Sequence, residues 1–303
     1  MTTLAPESRI AKTDSVSAPA QDLQPPDFIM IGAMKAATST VSRWLEAHPD
    51  VFMVAGQDPN HFSRDDLWFR GPARYNALFA DAGPNQIRGE GTNNYTSDAL
   101  FPHAARRLVV SCPEVRLIYM VRDPVSRIIS HWIQVRADQG DVAPPNLDQA
   151  VREMPDRFVV PSLYWRQLSR YRAFVPDARI HIGFMEDLQA NPDGFFNSLA
   201  GFLGIAPHRI RKHDAHRNPS AGKRLPGQAY SRLRALPGLR RTARVMPEGV
   251  RKVLKDRLLS RPISGRPGFS APVLAELRAT LAEDATAFLT HCGKPADFWS
   301  MIG

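Results

Sequence analysis

Two continuous apolar runs constrain this chain more than any other feature. They are Phe28-Ile29-Met30-Ile31 and the longer Val115 to Val121, which holds Leu117-Ile118-Tyr119-Met120-Val121. Neither alternates apolar with polar residues over its core, so each predicts a strand buried on both faces. Gly32 ends the first run, and a helix is predicted from about Thr38, with Val41, Trp44 and Leu45 at i, i+3 and i+4. The second run meets Arg122-Asp123-Pro124, where Asp123 suits a helix N-cap and Pro124 the first helical position. Further strands are expected at Val51 to Val54, at Ile87 to Glu90 and from about Arg179 to Phe184. Asn191-Pro192 repeats the cap-then-proline signal before a helix with Phe195, Phe196, Leu199, Phe202 and Leu203 on its apolar face, ended by Gly204. Ser270 is predicted to cap a last helix with Val273, Leu277, Leu281 and Phe288 on one side. Buried strands alternating with amphipathic helices specify an α/β fold: a central parallel sheet flanked by helices on both faces. Such sheets bind ligands beyond the C-terminal ends of their strands. The turns after Ile31, Val121 and Phe184 are therefore the places to search.

The 303 residues suffice for a self-supporting core without disulfides. Cys112 and Cys292 are the only cysteines and form no Cys-x-x-Cys pair, which excludes a disulfide framework and a cysteine-rich zinc site and leaves a reduced, cytoplasmic protein as the expectation. No apolar run is long enough to span a membrane. Residues 1–24 read as a disordered polar tail with no secretory h-region, and 25–303 as one domain. The formal charge of +9 invites an anionic partner. It is concentrated: Arg209 to Arg266 carries 17 Lys and Arg against Asp214, Glu248 and Asp256, a net +14 that leaves the remaining chain at −5. A basic flank of helices and loops over 205–268 on a mildly acidic body argues against a nucleic-acid-coating surface.

Two turns suit phosphate. In Gly32-Ala33-Met34-Lys35-Ala36-Ala37-Thr38-Ser39-Thr40, Gly32 lets the chain leave the strand sharply, and Ala36 and Ala37 permit close backbone approach. N–H groups at the helix start form an anion cradle, to which Lys35 adds a charge and Thr38, Ser39 and Thr40 add hydroxyls. No Gly precedes Lys35, so this is not the loop of a nucleoside triphosphatase. In the second turn Arg122 sits at a strand end, where its guanidinium can take a phosphate in two bonds, and Ser130 projects from the same helix face as Asp123, two turns on.

Together the two turns resemble the sulfotransferase family. Pro26 to Thr38 with His48-Pro49-Asp50-Val51 resembles its 5′-phosphosulfate loop, and Leu117 to Arg127 with Ser130-His131-Trp132 its 3′-phosphate motif. Asp58-Pro59-Asn60-His61-Phe62-Ser63 is similar to the segment the family writes Lys-Glu-Pro-x-x-Phe, and Gly89 to Tyr95 to its Gly-Glu-x-Ser/Thr-x-x-Tyr. Tyr164 to Tyr171 and Met185-Glu186-Asp187-Leu188 also have counterparts. The pattern is nearest to bacterial and heparan-sulfate-type enzymes.

The resemblance implies a three-layer, P-loop-like fold and 3′-phosphoadenosine 5′-phosphosulfate (PAPS) as donor, with no metal required. It implies transfer of a sulfuryl group to a hydroxyl, or secondarily an amine, of a carbohydrate or small natural product. Lys35 would stabilise the leaving phosphate, Ala36 to Thr40 would hold the 5′-phosphate, and Arg122 and Ser130 the 3′-phosphate. Arg217, Lys223 and Arg224 are candidates for a basic loop closing over the donor. For the base, Asp58 aligns with the family's Glu but is shorter, His61 has a near-neutral reference pKa, and Glu90 falls at a strand end expected to face the cleft. Departures are Ala36 and Ala37 where Gly is usual, Gln57 and Asp58 where Lys and Glu are usual, and Gly91 in place of a heparan-type Lys. A kinase-like phosphotransferase and a non-enzymatic anion- or nucleic-acid-binding protein are the alternatives.

Overall fold

The computed structural model describes residues 22–56, 58–208, 224–226, 260–262 and 267–299, the two short segments among these as backbone. Five parallel strands form the main sheet: β1 (Phe28–Gly32), β2 (Val51–Met53), β3 (Ile87–Gly91), β4 (Arg116–Val121) and β5 (Ile180–Phe184), in the order β2-β3-β1-β4-β5. All five expected strands exist, with ends moved by a residue or two. Strand β5 starts at Ile180 because Asp177–Arg179 closes a 3-10 turn ahead of it. The helices are α1 (Thr38–Glu46), α2 (Asp65–Trp68), α3 (Ala73–Asn76), α4 (Ala104–Ser111), α5 (Pro124–Gln139), α6 (Leu147–Glu153), α7 (Pro155–Phe158), α8 (Tyr164–Arg172), α9 (Met185–Ala190), α10 (Pro192–Leu203) and α11 (Ala271–His291). A two-stranded antiparallel ribbon pairs β6 (Arg224–Pro226) with β7 (Ser260–Pro262), and β6 lies against α5.

Every residue of β1 is buried, so helices must cover both sides of it. The layers follow from successive side chains of β4. Tyr119 meets Tyr164 of α8 and Phe288 of α11 edge-on. The next residue, Met120, faces the opposite way, beside Phe195 of α10, and between them only Gly183 fits: a Cβ there would lie 2.6 Å from the Met120 sulfur. Helix α1 shares the α10 layer, where Trp44 stacks on Phe196 with ring centroids 4.8 Å apart.

The caps behave as expected at α5, where Asp123 Oδ1 accepts from Ser126 N at 2.6 Å, and at α10, where Asn191 Oδ1 accepts from Gly194 N and Gly204 closes the helix at φ 71°. Ser270 holds the cap position of α11, but its hydroxyl makes no capping bond; its N–H donates to Asp148 instead. Residues 22–24, expected in the tail, are pinned: Gln24 N donates to Asn76 Oδ1 at 2.9 Å, and Asn76 Nδ2 donates to Asp22 O at 2.7 Å. The rest of the expected tail lies outside the described residues. Among the described residues no helix is long and apolar enough to cross a membrane.

Candidate active site

Strand β1 lies between β3 and β4, where the strand order reverses, and the turn leaving its C-terminal end opens into that switch point. Gly32, at φ 133°, is required there: a Cβ would fall 2.3 Å from Thr96 Oγ1 and 3.2 Å from Asn93 O. The turn folds back on itself through Ala36 N to Ala33 O at 3.2 Å and is tied to β4 by Ala33 N to Met120 O at 2.6 Å. Lys35 (φ 72°) and Ala37 (φ 65°) both occupy the left-handed region. This gives the Gly-to-Ala departure a physical meaning, because Ala37 carries a Cβ where glycine is unstrained. Thr40 N and Val41 N both donate to Ala37 O, so Thr40 offers a ligand its hydroxyl and not its N–H. The N–H groups of Thr38 and Ser39 come before the first intrahelical bonds, as helix geometry requires, at the positive end of the α1 dipole. Ala36 is wholly buried, while Ser39 is exposed.

The second turn touches the first. Arg122 Nη1 donates to Lys35 O at 3.3 Å and to Ser130 Oγ at 3.2 Å, so one guanidinium bridges both. The backbone below it is fixed by two residues to which no role was given from the sequence. Tyr164 Oη donates to Arg122 O at 2.9 Å, and Asp123 N donates to Glu186 Oε1 at 2.8 Å. Glu186 follows β5, so the turns after β1, β4 and β5 converge as the sheet logic requires. Arg127, wholly buried, bonds Ser162 Oγ and Phe158 O and pins α5 to the α7 region.

The three candidate bases separate. Asp58 lies one residue from the phosphate loop: Asn93, whose carbonyl abuts Gly32, donates from its N–H and its Nδ2 to the Asp58 carboxylate at 3.3–3.4 Å. Burial raises its pKa above the ordinary aspartate value, and the Asn93 bonds oppose that shift. Its loop is clamped by Asn60, in the left-handed region at φ 56°, whose N–H donates to Thr92 Oγ1 at 3.2 Å. Asp58 and His61 both line a cavity of about 440 Å³. His61 stacks on Tyr75 with centroids 4.6 Å apart, and burial, with the charges of Arg107 and Arg74, pushes its pKa down to about 4. It is a neutral aromatic wall and not the near-neutral base its reference pKa suggests. Glu90 is corrected more sharply: it does not face the cleft. It is 0% exposed, holding Thr92 Oγ1 at 2.9 Å and Tyr75 Oη at 3.3 Å as donors, and burial pushes its pKa up to about 8.

The structure thus brings Lys35, Ala36 to Thr40, Arg122 and Ser130 to one place and sets Asp58 beside it. Arg217 and Lys223 lie outside the described residues, and Arg224 is described only as β6 backbone. Asn93, Tyr164 and Glu186 all stand in segments that carry the resemblance, but none of them was given a role from the sequence. For Asn93, an amide three residues after a glutamate is the one local signal.

A loop with left-handed turns, a lysine and a helix start is thus joined by an arginine to a second strand-end turn. The sequence pattern of the sulfotransferase domain matches residues 25–249, and the chain belongs to that family. Over 198 residues it is 27% identical to heparan sulfate glucosamine 3-O-sulfotransferase 3B1 of Mus musculus, covering 63% of this chain and 49% of that protein. Over 199 residues it is 34% identical to heparan sulfate glucosamine 3-O-sulfotransferase 6 of Homo sapiens, covering 62% and 55%. The match covers about half the length of the heparan sulfate glucosamine 3-O-sulfotransferases it resembles. A sulfotransferase from Alicyclobacillus acidocaldarius shares the fold, with a TM-score of 0.63 at 16% identity over 90% of this chain and 98% of that one.

Proposed function

We propose that this protein transfers the sulfuryl group of PAPS to an acceptor hydroxyl. The observation that carries the reading is the Arg122 guanidinium, which spans Lys35 O and Ser130 Oγ and makes the two phosphate turns one site. PAPS supplies a sulfuryl group on a phosphate leaving group and a 3′-phosphate as a handle. The first-turn N–H groups of α1 and the hydroxyls of Thr38 to Thr40 hold the 5′-phosphate. Arg122 and Ser130 hold the 3′-phosphate, Arg as a two-pronged donor. In-line transfer forms the acceptor oxygen–sulfur bond as the bond from sulfur to the phosphate oxygen breaks, and the electron pair leaves with adenosine 3′,5′-bisphosphate. Lys35 meets the charge that grows on that oxygen, and Asp58 takes the acceptor proton.

Transfer assays with labelled PAPS test both roles. Lys35→Ala and Asp58→Asn are each expected to lower kcat by about 10²–10³, with circular dichroism unchanged. Turnover of the wild type is expected to rise with pH through the raised Asp58 pKa and then level off, because the base works only when ionised. Lys35→Ala turning over at the wild-type rate contradicts the mechanism.

A further inference from the structure

The cavity beside Asp58 has a composition that selects an acceptor. Its volume of about 440 Å³ is just under three times the roughly 150 Å³ that encloses a benzene ring, room for a small molecule. Val54, Leu67 and Leu78 give it aliphatic sides. The stacked rings of His61 and Tyr75, 22° from parallel, give it a flat wall, and Tyr75 is fixed in place by its bond to Glu90. His61 stays neutral at physiological pH, so this wall carries no charge. Two charged groups remain among the described lining residues. One is Asp58 at the phosphate-loop side, and the other is Arg74 of α3. Arg74 is exposed, and among the described residues no carboxylate pairs with it.

A polyanionic sugar chain fits these walls badly. Against the described lining its repeated charges would meet aliphatic side chains and a carboxylate, with Arg74 as the one cation there, and desolvating unpaired charge is costly. A compact molecule with a hydroxyl at one end, an apolar body and one oxyanion at the other matches each part: hydroxyl at Asp58, body between the aliphatic side and the ring wall, oxyanion on the Arg74 fork.

We propose that the acceptor is a small hydroxylated molecule with an apolar, ring-sized body and one anionic group, and that Arg74 sets the preference for that group. The proposal rests on the sulfotransferase reading above.

The test is turnover with labelled PAPS of 4-hydroxybenzoate, 4-hydroxyphenylacetate and 3-(4-hydroxyphenyl)propanoate, each against its methyl ester, with a glucosamine-containing heparan oligosaccharide alongside. For at least one pair, the acid is expected to exceed the ester by tenfold or more in kcat/KM in the wild type. That ratio should fall to near one in Arg74→Ala and recover in part in Arg74→Lys, with the change lying in KM. Adenosine 3′,5′-bisphosphate affinity, measured by calorimetry on each variant, reports folding and the donor site separately. Equal use of acid and ester by the wild type, an acid preference that survives Arg74→Ala, or sulfation of the oligosaccharide alone overturns the proposal. So does inertness of all three acids in a protein that binds the bisphosphate. Failure to bind the bisphosphate at all overturns the sulfotransferase reading instead.

Discussion

Glu90 shows how burial decides what a carboxyl can do. The segment Gly89 to Tyr95 was legible as a motif, yet the motif does not say which way the side chain points. In the sheet, Glu90 lies in register with Ile29 of the buried β1, and its carboxyl enters the core, where the hydroxyls of Thr92, Tyr75 and Tyr95 hold it. Its pKa rises from 4.5 in the unfolded chain to about 8, chiefly because burial penalises the charge, so the folded protein keeps a proton that the unfolded chain has lost. Stability from this group is therefore fully present below about pH 4.5 and falls as pH rises to about 8. Chemical denaturation of the wild type and Glu90→Gln at pH 5, 6.5 and 8 reads this fall as the difference between them, of the order of a few kcal/mol across the window, because the buried neutral His61 and His181 add stability as pH rises to 6.5 in both proteins. Glu90→Gln, which copies the protonated group, should flatten the fall. An identical slope in the variant contradicts the assignment. His61 teaches the same lesson in reverse: a lone histidine near a candidate base looks functional in sequence, but three aromatic neighbours, Phe62, Trp68 and Tyr75, make it part of a wall.

At the scale of elements, the strands and their exits were legible because the signals are local. The unbroken apolar runs marked β1 and β4, and Asp123-Pro124 marked the start of α5 with its cap. Helical periodicity put Ser130 on the face of Asp123, next to Arg122, and the two side chains do meet. Contacts that depend on strand order were not legible. Tyr164 and Glu186 reach Arg122 and Asp123 across 42 and 63 residues, and no spacing rule carries that information. Pairing β3 against β1 has its own requirement, which rests on Gly89. A Cβ there would fall 1.9 Å from the Phe28 ring, and Phe28 is wholly buried, so its ring cannot step aside. Gly89→Ala should therefore destabilise the protein by about 1–3 kcal/mol, read as a lower denaturation midpoint. An unchanged midpoint contradicts the register of β3 on β1.

For the whole molecule, the strand order places three turns at one end of the sheet, and the chemistry collects there. The chain's net charge pointed to an anion but not to its place, because the densest run of positive charge in the sequence, Arg209 to Arg266, is a different stretch from those that hold Lys35 and Arg122. The proposed anion site rests instead on the geometry around Arg122. That yields the central claim: two turns, joined by one guanidinium, hold the two phosphates of a single nucleotide. Isothermal titration with adenosine 3′,5′-bisphosphate and with adenosine 5′-phosphate, on the wild type and on Arg122→Ala, tests it most directly. Micromolar binding of the bisphosphate, about tenfold or more tighter than the monophosphate and reduced to the monophosphate level in Arg122→Ala, is the predicted result. Equal affinity for the two nucleotides in the wild type, or no binding of either, would contradict it.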